Sequence, residues 1–554
     1  MANNTLFSFS PFCSDGIQGG YGPLEDFENE EAVFKEKQVD HLSEIKAGET
    51  TNPISAEYRV KKGAHLLEDQ LQQIQPTVSD AVEHDKQIPH PSSLASLELL
   101  RNYGSGFKKL KGEILNDVST ETNVVSHKFS TEEIIRLAAA RFVVFLAQMY
   151  DDHYNNMPMH PFGFALSDTL SEDEMRNVEL VHYLLAAAEK VGYQQYDRAT
   201  RLLLRFKWVS SPAGNPVERV VFHFAEALQE RIEKESGRAA IMKGVIEAND
   251  DEILRGSSTN SSFLTVYQQL PFSQILQFTG IQAIVENVAL ERKVHLIDMG
   301  IRSGVQWALL MQALAERQQD CRHPIELLKI TAVGSTAIEE TGKRLTAVAE
   351  SLDLPFSFKA VVLLDMKDIK EELFETEDDE AVIIYASLTL RAMISRPNCL
   401  ENLMRVIGNL NPSLLVVTEV EANHNSPSFV DRFIEALFFY GAYFESLEIC
   451  MKQHDEDRMR METFLGCLIR NVLVEEGTER TVRNVTLDVW RAFFARFGMV
   501  EIGFSEASLL QASLFVKQFA CRSSCTLDKN GKCLIVGWKG TPIHSLSLWK
   551  FPLP

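Results

Sequence analysis

Residues 294–307 (VHLIDMGIRSGVQW) place an acid and two glycines where an apolar run passes into a helical pattern. The apolar run consists of Val294, His295, Leu296 and Ile297 and ends at Asp298. A nucleotide-type cofactor site at such a turn needs small residues at alternating positions, because backbone N–H groups must approach the ligand. The turn offers Gly300 and Gly304, but the position between them is Arg302. We therefore predict the strand-turn-helix scaffold of a cofactor site that lacks one of the small residues needed for binding. Arg302 stands where the backbone would contact the cofactor.

The end of the next predicted strand is a second test for a cofactor. Adenosyl and dinucleotide sites usually hold an acid there, against the ribose hydroxyls. Here the strand ends at Gly334 and Ser335, and the acids Glu339 and Glu340 follow only a helical turn later. We predict no cofactor and no metal site. Asp298 is then expected to accept backbone N–H bonds in its own turn, and His295 to be a hydrogen-bonded core histidine.

Residues 419–425 (EVEANHN) form a second polar group, directly after another apolar run. Two carboxylates, an amide and an imidazole at the carboxyl edge of a sheet are the groups that general acid–base catalysis uses. The alternative, which we favour, is that Glu419 and Asn423 organise the loop through hydrogen bonds. The aromatic helix predicted next, over residues 429–444, would then belong to the core.

Short apolar runs alternate with helical patterns beyond about residue 290, which predicts a mostly parallel sheet with crossover helices. The predicted strands are residues 294–298, 327–333, 356–362, 382–386 and 414–420. Near the C-terminus, residues 519–527 and 533–539 flank a predicted turn at residues 528–531 that ends in Asn530-Gly531. An Asn-Gly pair favours a β-hairpin, so we expect an antiparallel pair to close one edge of the sheet.

Helical patterns begin at Ser130, where Ser-Thr-Glu-Glu resembles a helix cap. Further helices are predicted over residues 178–191, 196–206 and 217–232. We divide the chain into a mostly disordered region (residues 1–125), a helical cap (126–290) and an α/β core (291–554). One leucine-rich island at residues 93–112 is either a docking helix or a helix that packs on its own domain.

The composition argues against several classes of protein, among them direct DNA-binding, disulfide-rich secreted and membrane proteins. The 554 residues carry a formal charge of −22, which opposes direct binding to a phosphate backbone. Eight scattered cysteines fit reduced thiols in the cytosol or nucleus, with no disulfide framework. The N-terminus does not read as a signal peptide, and no stretch reads as a membrane span. These features predict neither secretion nor membrane insertion.

Several ordered motifs resemble those of the GRAS proteins of plants over roughly residues 178–551. The first leucine-rich region of that family looks like LVHYLLAAAEKV (residues 180–191), and its VHIID element looks like residues 294–298. Residues 272–288 and 411–448 are similar to the segment before that element and to the PFYRE region. The SAW region is similar to the C-terminal block with Trp538, Ser547 and Trp549. Two departures stand out: Ser-Leu-Trp replaces the final Ser-Ala-Trp, and the family's Arg-x-Glu-Arg element lacks its glutamate at residues 480–483.

The resemblance implies a Rossmann-like, methyltransferase-like core with a helical cap, in a nuclear transcriptional regulator that is not an enzyme. Its partners would be other GRAS proteins and DNA-binding transcription factors, so that DNA is reached indirectly and no membrane is involved. Paired GRAS domains meet at the cap, which makes Leu184, Leu185 and Leu203 candidate supports of a partner surface; the alternative is that they are internal core. A role in root symbiosis with arbuscular fungi is the narrowest function considered. The alternative class is a methyltransferase-like or small-ligand enzyme with a site near Asp298.

Overall fold

A computed structural model of the chain describes residues 113–114, 129–150, 170–206, 209–237, 261–318, 324–334, 338–363 and 365–552. Its centre is one ten-stranded sheet. Most of the region predicted to be disordered, and the whole leucine-rich island, lie outside the described residues. Within that region Glu113–Ile114 forms the short strand β1 at one edge of the sheet.

Five parallel strands form one half of the sheet, as the sequence predicts. They are β2 (Lys293–Asp298), β3 (Leu327–Gly334), β4 (Phe356–Val362), β5 (Ala381–Ser387) and β6 (Leu414–Val420). Each lies within one residue of its predicted bounds. The chain runs from β2 outward to β3 and β4 and then returns to β5 on the other side of β2. This reversal puts the switch point of the sheet, where open α/β folds hold their ligands, at the carboxyl ends of β2 and β5.

The antiparallel half is larger than predicted. It contains β7 (Val500–Ile502), β8 (Cys525–Asn530), β9 (Cys533–Trp538) and β10 (Thr541–Lys550). The hairpin of β8 and β9 is confirmed, but the predicted turn at residues 528–531 is wrong by about two residues. Asp528 is a fully buried strand residue that pairs with Ile535, and the left-handed glycine of the turn is Gly531, with φ +63°. Strand β10, which the sequence analysis did not predict, joins the hairpin to β6. The order across the sheet is β1-β8-β9-β10-β6-β5-β2-β3-β4, and β7 pairs with β10.

Helices cover both faces of the sheet, as expected for an α/β fold. In chain order they are α1 (Thr131–Tyr150), α2 (Glu172–Gly192), α3 (Tyr196–Leu203), α4 (Pro216–Glu235), α5 (Ser261–Gln269), α6 (Pro271–Asn287), α7 (Val305–Gln318), α8 (Ile338–Ser351), α9 (Pro397–Leu410), α10 (Phe429–Cys450), α11 (Asp455–Val474), α12 (Leu487–Arg496) and α13 (Glu506–Gln518). Alternate residues of β6 point to opposite faces: Val416 joins the core beneath the cap, and Val417 joins the core beneath α9 and α12. No helix in the described part of the chain is long and apolar enough to cross a membrane.

Local sequence explains where the cap helices begin. Before α1, the Ser130 hydroxyl accepts the Glu133 N–H (3.2 Å) and the Glu133 carboxylate accepts the Ser130 N–H (2.8 Å), which confirms the predicted cap. Ser171 with Glu174 and Asn215 with Glu218 form the same reciprocal capping boxes before α2 and α4. Each box provides partners for N–H groups that a helix start leaves unpaired.

Candidate functional site

The switch point of the sheet is built around Asp298, the last residue of β2. Its carboxylate accepts the Gly300 N–H (3.1 Å) and the indole N–H of Trp307 (2.9 Å), which packs beneath it from α7. Only 2% of Asp298 is exposed, and burial raises the pKa of its carboxyl group to about 6 despite these two bonds. Asp298 thus holds the turn together, as predicted from the sequence.

The space above the turn is filled by the chain's own side chains. A Cβ atom placed on Gly300 would lie 2.8 Å from the hydroxyl oxygen of Thr389, which follows β5. One placed on Gly304, whose φ is +67°, would lie 2.7 Å from the Cγ2 atom of Thr341 in α8. The glycines therefore permit close packing between protein segments. Thr389 and Thr341 occupy the space in which an adenosyl or nicotinamide group would contact the backbone. The residues present do not fit such a cofactor.

Arg302 has a different place from the one predicted. The residue is exposed, and its carbonyl accepts a bond from the Thr341 hydroxyl (3.1 Å). The group that occupies the space over Gly300 is Thr389, not Arg302. Sequence reasoning could not find Thr389, because it lies on another strand's loop and reaches Gly300 only through the parallel pairing of β2 with β5.

His295 lies in the middle of the sheet and is fully buried. Its Nε2 atom is 2.8 Å from the Thr331 hydroxyl and its Nδ1 atom is 3.1 Å from the Glu380 carboxylate. Burial, with a smaller contribution from Lys329 and Lys359, lowers the pKa of His295 to about 3, so the ring is neutral. A neutral ring donates one bond and accepts the other. The prediction of a hydrogen-bonded core histidine is confirmed.

The acids of the second polar group organise the loops at the carboxyl edge of β6. Glu419 accepts the backbone N–H groups of Leu390 (2.9 Å) and Arg391 (3.3 Å). Glu421 accepts the Leu487 N–H with both oxygens (3.1 and 3.0 Å) and so anchors the start of α12. Burial raises the pKa of each carboxyl group to about 7. These bonds are the structural arrangement that we favoured for Glu419.

The imidazole of this group belongs to a chain of hydrogen bonds that the sequence did not reveal. The Arg391 guanidinium donates to the Asn484 side-chain oxygen (3.3 Å), and the Asn484 amide nitrogen lies 2.9 Å from Nδ1 of His424. His424 is fully buried and stacks on Tyr440 of α10, and burial lowers the pKa of its imidazole to about 3. The side chain of Asn423, predicted to share in the loop's bonds, makes none with another described residue; Asn484 takes that role.

The leucines proposed to support a partner surface lie inside the cap. Leu184, Leu185 and Leu203 are exposed by 0%, 2% and 4%. The exposed apolar side chains of this part of the cap are their neighbours, at the ends of α2 and α3 and in the turn that follows: Tyr193 (37%), Leu204 (51%) and Val209 (40%). A direct contact with a partner would therefore involve these neighbours, with the buried leucines beneath them.

The residues of the C-terminal motif pack in the sheet. Trp538 ends β9 and is fully buried. In β10 the Trp549 indole donates to the Ser547 hydroxyl (2.9 Å) and lies 4.6 Å, ring to ring, from Phe494 of α12. The motif thus fixes the antiparallel half of the sheet against α12.

Comparison with known proteins agrees with this geometry. The model of the GRAS domain family matches residues 180–550, from α2 to the end of β10. The chain belongs to the GRAS domain family. Among curated relatives it is 31% identical to the DELLA protein RGL1 of Arabidopsis thaliana over 68% of this chain and 71% of that one. It is 29% identical to DELLA protein 1 of Medicago truncatula, over 69% of this chain and 65% of the relative.

The same family accounts for the fold. The crystal structure of SCL7 from Oryza sativa superposes with a TM-score of 0.58 and 26% identity, covering 67% of this chain and 99% of SCL7. The mixed α/β, Rossmann-like architecture with a parallel-rich sheet is therefore that of a GRAS domain. The predicted family and fold class are both confirmed.

Proposed function

We propose that this GRAS protein is a nuclear regulator or co-regulator of transcription that acts by binding other proteins, among them other GRAS proteins and DNA-binding transcription factors. The observation that carries the proposal is family membership combined with a switch point that Thr389 and Thr341 fill. A scaffold without room for a cofactor is free to serve as a rigid support for binding surfaces. The negative charge of the chain favours contact with DNA through a partner.

We place the partner surface on the cap, at Tyr193, Leu204 and Val209. Exposed apolar side chains favour association, since covering them removes apolar area from water. The alternative, a methyltransferase-like enzyme with its site near Asp298, would need space over Gly300 that Thr389 takes. In its narrowest form the proposal is a plant signalling regulator in root symbiosis with arbuscular fungi; expression of the gene on colonisation would test that form alone.

The test uses the full chain and DELLA protein 1 of Medicago truncatula as the probe, with binding measured by light scattering after size-exclusion chromatography. We expect a complex with the wild type and at least a tenfold loss of affinity, about 1.4 kcal/mol, for Leu204→Asp. Leu290→Asp is the matched control, because Leu290 is 71% exposed but lies between α6 and β2, outside the segment from α2 to α4 that carries Tyr193, Leu204 and Val209. Equal binding by Leu204→Asp and the wild type would refute the proposed surface.

Nuclear location is tested separately, with a fluorescent fusion of the full chain in plant cells. A signal confined to the nucleus is the expected result. A signal that stays outside the nucleus would contradict a direct role in transcription.

A further inference from the structure

Four arginines from three parts of the chain meet beneath an exposed loop at residues 476–479. Arg231 belongs to α4, Arg432 to α10, and Arg480 and Arg483 to the segment between α11 and α12. Three of them are buried, with exposures of 8% for Arg231, 0% for Arg432 and 5% for Arg480. We call these four residues the arginine cluster.

Two carboxylates pair with the arginine cluster, which neutralises only half of its four positive charges. Glu476 binds both Arg231 (3.0 Å) and Arg432, and Glu235 binds Arg231 (2.6 Å). Despite the opposing effect of burial, Arg432 and Arg231 hold the pKa of Glu476 below its usual value, so it is ionised. Four guanidinium groups and two carboxylates leave a formal excess of two positive charges.

Two other acids near the cluster share one lysine, which reduces the local positive excess from two charges to one. Glu475 and Glu479 bind Lys234 at 2.5 and 2.8 Å. Among the described residues, neither Arg480 nor Arg483 has a carboxylate oxygen within 4.0 Å. Arg483 donates to neutral oxygens instead, those of the Asn425 side chain (2.8 Å) and of the Gly477 and Arg480 carbonyls.

Arg480 is the residue whose hydrogen-bonding capacity is least used. Its Nε and Nη1 atoms are buried and have no partner among the described residues, and the same is true of Nε of Arg231. A buried cation with unused N–H donors is costly to the folded state. Burial, with repulsion from Arg432 and Arg483, lowers the pKa of Arg480 to about 10, which is consistent with a surplus of cations.

We propose that the arginine cluster binds one small phosphate-type anion, inorganic phosphate or the phosphate group of a small monoester, through the free N–H groups of Arg480 and the free Nε–H of Arg231. Phosphate carries about −1.5 to −2 charges at pH 7, which is enough to neutralise the positive excess. Nε–H and Nη1–H of one guanidinium point to different sides, so they do not hold one phosphate as a parallel pair. The anion would therefore accept one N–H of Arg480 and the free Nε–H of Arg231. The ligand must be small because the arginines are buried, and it would enter past the exposed loop.

The test is a calorimetric titration of the full chain with inorganic phosphate, and separately with glycerol 2-phosphate, in chloride buffer of constant ionic strength. The wild type is expected to bind phosphate at one saturable site. Arg480→Gln should weaken binding at least about tenfold, the equivalent of one charge-assisted hydrogen bond. Without phosphate, the same variant should melt at the same or a higher temperature than the wild type, because an unpaired buried cation has been removed.

Arg470→Gln is the matched control, since Arg470 belongs to α11 and not to the cluster, and it pairs with Glu230 at 2.5 Å and with Glu475 at 3.8 Å. It should bind phosphate as the wild type does. Binding of phosphate alone would assign free phosphate as the ligand, and binding of both compounds would assign a monoester. No saturable heat with either compound, or equal affinities for Arg480→Gln and the wild type, would overturn the proposal. The outcome is independent of the proposed regulatory role.

Discussion

Replacing Gly300 with alanine puts a methyl group into the space that Thr389 occupies. The new Cβ would lie 2.8 Å from the Thr389 hydroxyl oxygen, which also donates to the Ser387 carbonyl (3.1 Å). Threonine is stiff about χ1, so the hydroxyl cannot move away cheaply. Gly300 does not have a positive φ, so alanine brings no backbone strain of its own. We expect Gly300→Ala to lower the free energy of unfolding by about 1–3 kcal/mol, the usual cost of overpacking.

A double-mutant cycle with Thr389→Ala separates this clash from other effects. Removing the hydroxyl leaves Thr389 Cβ 3.9 Å from the new methyl, an ordinary contact. The double variant should therefore be about 1–2 kcal/mol more stable than the sum of the single effects predicts. Urea unfolding followed by tryptophan fluorescence measures all four proteins. Gly408→Ala in α9, where the nearest atom would be 3.8 Å away, is a control that should be neutral or stabilising.

A Gly300→Ala variant as stable as the wild type, or a loss that Thr389→Ala does not relieve, would refute the close packing at the switch point. Space for a ligand would then exist over Gly300.

Three further predictions follow from the buried polar groups. Trp307→Phe removes the indole donor to Asp298 and should lower the free energy of unfolding by about 1–3 kcal/mol in urea titrations, because the acid loses a buried partner; an unchanged midpoint would contradict this. Burial raises the pKa of Glu421 to about 7, so the folded state binds a proton that the unfolded state releases near pH 4.5. The contribution of this proton to the free energy of unfolding is full below pH 4.5 and is lost as the pH rises to 7. Glu421→Gln should gain stability relative to the wild type by up to about 1.4 kcal/mol per pH unit between pH 4.5 and 7, and a constant difference would refute the shift. Leu185→Asp, unlike Leu204→Asp, should lower the melting temperature sharply, because it buries a charge in the cap; a normal melt would mean that Leu185 is not internal.

The parallel half of the sheet was predictable because each of its strands is a short apolar run between helical patterns. The antiparallel half was harder to predict. Asp528 resembles a turn residue in the sequence, and its burial opposite Ile535 depends on pairing with β9. Strand β10 contains Pro542 and begins at a bulge, which weakens its local signal.

The candidate site shows the same division between local and distant contacts. The bond of Asp298 with the Gly300 N–H lies within its own turn, so residue types and spacing predicted it, but they did not predict the bond with the Trp307 indole nine residues later. Thr389 over Gly300 and Asn484 beside His424 come together only through the sheet and its loops. No local pattern contains that information. The exposure that separates Leu204 from Leu203 also depends on how α3 packs on its neighbours.

The most direct test of a switch point filled by protein side chains is a calorimetric titration of the full chain with S-adenosylmethionine, with an active methyltransferase as the positive control. The packing of Thr389 and Thr341 against the glycines of the turn predicts no saturable heat. Saturable heat at one site per chain would contradict the account and restore the enzyme alternative near Asp298.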